Sequence, residues 1–482
     1  MGDLTEANSL EAARLEAGSP TTSSNKEKNG VSEPKDGGEE QLTEDYRFAD
    51  ERERKGAQNM HKLSWQRLTI CLIVEAIALG SLSMPSVFAT LGMVPAVIVT
   101  VGIGLIAIYT SYIVGLTCLK YPEVVHYDQV GYLFFGKIGK DIFGVIFVIY
   151  LSFVTASHVL TGTELWNALS TTHICSLAFG VISAIILYLV ALPPTFHDMA
   201  VLGYIDFASI CLAILITMIG TGIQGQKLPG GLANADWHAF PQEPVSFKKA
   251  FVAVTNIVFA YSFAACQPSF MSEMHRPKDF VKSIWALGLI EIFIYTVTGA
   301  VIYSFVGSSV ESPALLSAGG KFEKAAWGVA IPVVFISGSI NSQVAGRYAH
   351  MRMFQGTKHV YINTVKGWAW WLGIIAAITL FAWIVAEAIP FFSDMLSIIS
   401  SLFISGYSFF WPGFMWWILL RKKGTSIFGS KTSMFHAFAS TLSIIIGFTV
   451  VVAGLYASIE DIRDEYATGS VKSPFTCGST SG

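Results

Sequence analysis

Residues 75–85 read EAIALGSLSMP and lie inside the first long apolar segment of the chain. This segment covers about residues 65–91, which is long enough to cross a bilayer as a helix. Its centre is unsuited to a continuous helix, because Gly80 weakens a helix and Pro85 lacks a backbone donor. Glu75 lies roughly two to three turns into the segment, where a carboxylate must be protonated, paired or hydrated. A broken span with a buried acid indicates a secondary transporter; the alternative is a kinked helix with Glu75 facing a protein-filled bundle.

The composition indicates a polytopic membrane protein. The chain has 482 residues, of which 52% are hydrophobic and only 13% are charged, and its mean hydropathy is +0.54. A soluble domain carries about 25% charged residues. The net charge of −3 argues against a nucleic-acid partner. Six scattered cysteines have no metal-ligand or redox spacing, and we expect them to be small apolar packing residues. They are Cys71, Cys118, Cys175, Cys211, Cys266 and Cys477.

The segment order predicts one transmembrane domain between two tails. Residues 1–61 are rich in Glu, Lys, Ser and Gly, which predicts a disordered cytosolic tail and a candidate target for ubiquitination machinery. Residues 62–462 are predicted to form the transmembrane transporter domain, and 463–482 a short extracellular tail. About eleven spans are expected near 66–90, 93–118, 142–168, 174–192, 199–222, 250–272, 281–307, 325–345, 368–389, 394–420 and 436–458. The segment 121–140, with its glycines and a proline, is expected to be a surface loop.

Charge and internal similarity predict orientation and symmetry. Lys and Arg concentrate on the loops that share a side with the N-terminus, which places that terminus in the cytosol. Residues 258–268, VFAYSFAACQP, interrupt the sixth apolar span much as 75–85 interrupt the first. Five is an odd number of spans, so two five-span repeats must be inverted relative to each other. The predicted fold is therefore an all-α, five-plus-five inverted repeat with broken first and sixth helices and an extracellular C-terminus.

Several polar residues inside the spans are candidates for ion or proton binding. The eighth span carries Ser337, Ser339 and Asn341, and their hydroxyls and amide could occupy the place of a cation site. The alternative is close helix packing through small polar residues. Further ionisable residues lie inside predicted spans, namely His158, Glu164, Asp206, Glu291 and Glu387. His158 and Glu291 are the deeper ones, although a lone histidine is more often a packing residue.

Motifs for catalysis and nucleotide binding are not found in the sequence. Residues 131–138, GYLFFGKI, resemble a phosphate loop but lack the metal-binding hydroxyl after the lysine. This argues against an ATP-driven pump. No zinc-protease motif or serine-hydrolase elbow occurs. We therefore expect no enzyme activity, metal or cofactor, and a membrane-embedded enzyme is the weakest alternative.

From about Lys62 to Ile462 the chain resembles the amino acid/auxin permeases of the amino acid transporter transmembrane family. The likeness is strongest to fungal neutral amino acid permeases of the methyltryptophan-resistance type. It rests on residues 75–85, 89–95, 157–163, 202–207, 259–263, 272–275 with Pro277, 335–341 and 387–393. The resemblance implies a proton-coupled importer of neutral aliphatic and aromatic L-amino acids at the fungal plasma membrane. In sodium-coupled animal relatives an uncharged amide usually stands near the position of Glu75, so an acid there favours a proton over sodium.

The two interrupted spans give a candidate substrate site. Free backbone N–H groups near Gly80–Ser83 could bind the substrate carboxylate, and free carbonyls near Phe259–Ser262 its ammonium. The candidate substrate-binding residues are Ala78, Gly80, Ser81, Leu82, Ser83, Phe259, Ala260, Tyr261 and Ser262. Glu75 is the first candidate for the proton, with His158 and Glu291 as alternatives. Two other functions stay open: an amino acid sensor without net transport, and a vacuolar exporter of the same fold.

Overall fold

The computed structural model describes residues 63–171, 174–194, 196–227, 230–362, 364–422, 424, 426–468 and 474–477. It leaves undescribed the side chains at positions 75, 196–201, 233, 358 and 361. The predicted tail, residues 1–61, lies outside the described residues.

Helices account for all of the regular structure in the described ranges, apart from one isolated bridge between Leu63 and Met274. In chain order we number the helices α1 to α12. They are α1 Trp65–Leu91, α2 Met93–Lys120, α3 Tyr127–Leu169, α4 Ser176–Val190, α5 Phe196–Gln226, α6 Phe247–Ala260, α7 Gln267–Met271, α8 Phe280–Val306, α9 Gly320–Met353, α10 Val365–Ala388, α11 Phe392–Leu420 and α12 Lys431–Thr468.

Eight of these helices are long and apolar enough to cross a membrane, and α1 makes a ninth if its bent halves count as one span. The shorter apolar helix α4 and the interrupted pair α6 and α7 lie at the positions of the predicted fourth and sixth spans. The all-α, multi-span architecture predicted from the sequence is therefore confirmed, as is the break in the sixth span.

The first helix is bent rather than unwound. Its halves, Trp65–Val74 and Ala76–Leu91, meet at an angle of 48°. The predicted opening at Gly80–Ser83 is wrong, because these residues are helical and the bend lies one turn earlier. A proline removes only one backbone donor, and the hydroxyls of Ser81 and Ser83 donate to carbonyls of the preceding turn.

The turn between the first two helices is as tight as the sequence predicts. α1 ends at Leu91, and Gly92 alone joins it to α2. Gly92 has φ +80°, a conformation that glycine adopts without a steric penalty. The segment after α5 packs on this turn, since Met93 N–H donates to the His238 carbonyl at 3.0 Å.

The predicted surface loop at 121–140 is largely helical, which corrects that expectation. α3 begins at Tyr127, and only Gly136 departs from helical geometry, with φ +65°. The early start follows from a capping box, because the Gln129 side chain accepts a hydrogen bond from the backbone N–H of His126 at 3.0 Å. The same side-chain oxygen also accepts from the backbone N–H of Val125, so Gln129 satisfies two backbone donors just before the helix.

Two of the six cysteines are covalently paired. Cys175, just before α4, forms a disulfide with Cys477, which follows α12. The expectation that all six are packing residues is wrong for this pair. Sequence spacing could not reveal it, because the two residues are 302 positions apart. The last helix also continues to Thr468, beyond the predicted domain end at residue 462.

The core is centred on α1. This helix packs against α5, α6, α8 and α9. Its apolar side chains are almost completely buried, including Leu72, Ile77 and Leu82. The helices around α1 hold the buried polar residues described next.

Candidate functional site

The sixth span is interrupted at the predicted place. α6 ends at Ala260 and α7 begins at Gln267, and residues 261–266 between them are not helical. A break of this kind leaves backbone carbonyls at the end of α6 without intrahelical partners. The interior of the bundle thus contains polar backbone groups that can be offered to a ligand.

α1 and α6 approach each other most closely at Gly80. A Cβ atom at this position would lie 2.8 Å from the Cα and 2.9 Å from the Cβ of Ala260. Both distances are shorter than side chains tolerate, so only glycine allows this backbone approach. The two predicted substrate-binding segments are therefore brought together, with Gly80 and Ala260 in direct contact.

A tyrosine that the sequence analysis did not select connects the two segments. The hydroxyl of Tyr295, on α8, lies 2.9 Å from the carbonyl oxygen of Ala260 and 3.2 Å from that of Ala76. Ala76 directly follows the bend in α1. The ring of Tyr295 also packs edge-on against Tyr261, with ring centroids 5.2 Å apart. Tyr295 thus contacts both the bend of α1 and the end of α6.

The other residues predicted to bind substrate are buried around this contact. Phe259, Tyr261 and Ser262 are at most 5% exposed. The α1 candidates Ala78, Ser81, Leu82 and Ser83 are at most 3% exposed. The Ser81 and Ser83 hydroxyls donate to carbonyls of their own helix, so any contribution they make to a ligand requires exchange of those bonds.

The three predicted proton carriers have different surroundings. Glu291 is fully buried on α8, one turn before Tyr295, and interacts electrostatically with Tyr261 and Tyr295. Glu75 forms the bend of α1 through its backbone, and its side chain lies outside the described part of the chain. His158 belongs to the α3–α9 interface, where its Nδ1 lies 2.9 Å from the Val334 carbonyl oxygen.

Only one residue of the predicted cation-like site faces the bend. The Ser337 hydroxyl lies 3.0 Å from the carbonyl oxygen of Val74, the last residue before the bend. Ser339 and Asn341 instead donate to backbone carbonyls of their own helix, α9. The three side chains thus have different partners, and a vestigial cation site formed by them stays a prediction.

Asp206 completes the contact that Ser337 makes. Its Oδ1 lies 3.0 Å from the Ser337 hydroxyl, and the residue is fully buried. Its Oδ2 has no hydrogen-bond partner among the described residues. The sequence placed Asp206 inside a span but gave no reason to prefer it, because its partners Ser337 and Val74 come from two other helices.

The number of hydrogen bonds at this contact depends on whether Asp206 is protonated. Ser337 has one hydroxyl proton and lies 3.0 Å from two oxygens, those of Val74 and Asp206. Both contacts are hydrogen bonds only when Asp206 is protonated and donates to Ser337, which then donates to Val74. When Asp206 is ionised, Ser337 can satisfy only one of the two oxygens. The site can therefore couple a protonation state to the bend of α1.

Comparisons with known proteins identify the family of the chain. The family model described as transmembrane amino acid transporter protein matches residues 61–460. The chain belongs to this family. It is 54% identical over 426 residues to the N amino acid transport system protein of Neurospora crassa, covering 88% of this chain and 90% of that relative. It is also 29% identical over 421 residues to a transmembrane transporter of Fusarium pseudograminearum, covering 87% and 88% of the two chains.

A solved structure shares the fold at low sequence identity. It is Mhp1, a nucleobase-cation-symport-1 family transporter, in a closed conformation with bromovinylhydantoin bound. The TM-score is 0.51 at 12% identity, and the match covers 85% of this chain and 93% of that one. The family member described here is thus a multi-pass membrane protein with the inverted-repeat transporter fold and an amino acid transport role.

Proposed function

We propose that this transporter is a proton-coupled symporter that imports neutral aliphatic and aromatic amino acids across the fungal plasma membrane. The observation that carries the proposal is the pair of contacts at the two interruptions. Gly80 meets Ala260 where substrate would bind. Asp206 reaches the bend of α1 through Ser337.

The substrate proposal follows from the backbone groups of the two segments. We infer that substrate binding opens the bend of α1, so that the half beginning at Ala76 offers its N–H groups and positive end to the carboxylate. Carbonyls at 259–262 suit the substrate ammonium. The Ala260 carbonyl accepts a hydrogen bond from Tyr295, so an arriving ammonium would take the place of that hydroxyl.

Selectivity for neutral side chains follows from the same segments. Residues 76–83 and 259–262 contain no charged side chain that could balance a charged substrate. Phe259 and Tyr261 supply aromatic surface for an apolar substrate side chain. We expect leucine-like and tryptophan-like substrates to share one site, and lysine and glutamate to compete poorly.

We propose that the proton is carried by the carboxylates at the bend, Glu75 and Asp206. Protonation of Asp206 allows Ser337 to hold the Val74 carbonyl, whereas ionisation redirects the Ser337 hydrogen to Asp206. Binding and release of a proton thus change a contact at the hinge of α1. Glu291 is the remaining candidate for the proton within the site. His158 serves as a control, because its ring nitrogen contacts the backbone carbonyl of Val334 on α9.

The orientation proposal places the N-terminus in the cytosol and the C-terminus outside. Stable disulfides form in oxidising, extracytosolic compartments. The pairing of Cys175 with Cys477 therefore supports an outer location for the α3–α4 connection and for the C-terminus. Both positions agree with an odd number of spans and with the distribution of Lys and Arg.

Uptake by purified protein in proteoliposomes tests the function. With an acidic exterior, we expect radiolabelled leucine and tryptophan to accumulate against their gradients, and a protonophore to abolish accumulation. Excess unlabelled lysine or glutamate should leave leucine uptake largely unchanged. Substrate binding without net uptake would favour a sensor, and a protein found only at the vacuole of intact cells would favour the exporter.

A further inference from the structure

Three carboxylates meet at a position that the transport mechanism does not use. Asp394 lies in the first turn of α11, and Asp461 and Glu465 lie near the end of α12. One oxygen from each carboxylate lies within 4.8 Å of an oxygen of the other two. Because Asp461 and Glu465 are four residues apart, they share the face of α12 that meets α11. We call these three residues the carboxylate cluster.

Asp394 is the residue in this cluster that requires a ligand. It is 3% exposed, and its Oδ1 has no hydrogen-bond partner in the described part of the chain. A buried carboxylate without a partner loses its hydration and gains nothing in return. One of its carboxylate oxygens lies within 4.8 Å of oxygens of Asp461 and Glu465, which are acceptors when ionised and cannot stabilise its charge.

Two of the three described basic side chains near the cluster are paired with carboxylates outside it. Lys248 is paired with Asp464 and lies 3.9 Å from Glu460. Arg463 is paired with Glu460 at 2.7 Å. Lys249 interacts electrostatically with two members of the carboxylate cluster. Among the described residues, the three cluster carboxylates share these three basic side chains with Glu460 and Asp464.

We propose that the carboxylate cluster binds one Ca²⁺ ion. Three carboxylates supply only oxygen ligands, which suits a hard divalent cation. Ca²⁺ accepts an irregular set of oxygens completed by water, whereas Mg²⁺ requires near-ideal octahedral geometry. Cys477 and the cluster both follow the membrane-crossing part of α12, so the cluster lies on the side of the disulfide.

The bound ion would act on the transport site through a chain of hydroxyls. Ser397, one turn beyond Asp394 on α11, lies 2.5 Å from Ser458 of α12 and 2.5 Å from Thr255 of α6. Thr255 is five residues before the end of α6 at Ala260. An ion that holds α11 against α12 would therefore also restrain α6, the helix that ends at the interruption of the sixth span.

Direct binding of ⁴⁵Ca²⁺ to the purified, full-length protein tests this proposal. We expect one ion per chain with a Kd of about 10⁻⁴–10⁻³ M, the range of extracellular calcium modules. Asp394→Asn and Asp461→Asn should each weaken binding at least about tenfold. Glu460→Gln removes a carboxylate from the same helix outside the cluster and should bind Ca²⁺ like the unsubstituted protein.

Thermal unfolding provides a second readout that is independent of transport. Ca²⁺ should raise the Tm of the unsubstituted protein and of Glu460→Gln, and should leave that of Asp394→Asn unchanged. The proposal is overturned if no Ca²⁺ binds at 10 mM, about ten times the upper Kd. Equal binding by Asp394→Asn and Glu460→Gln overturns it as well, as does binding of Mg²⁺ in preference to Ca²⁺. None of these outcomes depends on whether the protein transports amino acids.

Discussion

Replacing Gly80 with alanine tests the contact between the two interrupted helices. The added Cβ would lie 2.8 Å from the Ala260 Cα, which is backbone and cannot rotate away. Overpacking of this kind costs about 1–3 kcal/mol. Alanine recovers up to about 1 kcal/mol through its better helix propensity. The net penalty on the closed contact is therefore about 0–2 kcal/mol, with a midpoint of about 1 kcal/mol.

This free-energy penalty should lower the rate of transport. Because about 1.4 kcal/mol corresponds to a factor of ten, a penalty of about 1 kcal/mol should reduce the initial rate of leucine uptake by Gly80→Ala about fivefold. Gly80→Val, with two further methyl groups, should abolish uptake. Both variants should reach the membrane in normal amounts, since the steric conflict arises only where α1 and α6 close together.

The assay is radiolabelled leucine uptake in a permease-deficient strain, normalised to surface protein. Gly102→Ala is the matched control, because a Cβ at Gly102 in α2 meets no atom within 4 Å. Combining Gly80→Ala with Ala260→Gly removes one of the two close contacts and should restore part of the rate. Normal uptake by Gly80→Ala at normal surface level would show that this contact is not part of the transport cycle.

Three further predictions concern the bridge, the disulfide and the topology. Tyr295→Phe removes the hydroxyl that contacts the bend of α1 and the end of α6, and it should slow uptake about tenfold. The control is Tyr303→Phe on the same helix, which loses one loop contact and should have little effect on uptake. Equal uptake rates in the two variants would argue against a role for the Tyr295 hydroxyl. Cys477→Ser should lower the Tm in detergent and remove its sensitivity to reductant, and an unchanged Tm would mean that the disulfide does not stabilise the protein. Tags at Gly482 and in the 225–248 loop should both be cut by external protease in intact cells, and protection of the Gly482 tag would contradict an odd number of spans.

Residue patterns were sufficient to predict the helical architecture, but they predicted the positions of the helix breaks only in part. The break after Ala260 coincides with the polar and small residues that predicted it. At Gly80 the same reasoning failed, because hydroxyl groups and helix packing keep the residues around Pro85 helical. A glycine or proline in the sequence therefore indicates where a helix is weak, whereas the side chains packed around the helix determine where it bends.

The sequence could not identify functional residues whose partners lie far away along the chain. Asp206, Ser337 and Val74 come from three helices, and their contact depends on how these helices pack. Tyr295 likewise acquires its role from two carbonyls on other helices. No local pattern marks such residues: the polar residues selected inside predicted spans included Asp206 and Ser337, but nothing connected them with each other or with Tyr295.

Substrate-dependent proton movement across proteoliposomes tests the central claim most directly. Addition of leucine to vesicles with a trapped pH indicator should acidify the interior for the unsubstituted protein, because substrate and proton enter together. Asp206→Asn and Glu75→Gln should bind leucine but produce no acidification and no accumulation, while His158→Gln should retain both. Leucine uptake without any acidification, or acidification of normal size in both carboxylate variants, would contradict proton coupling at the bend of α1.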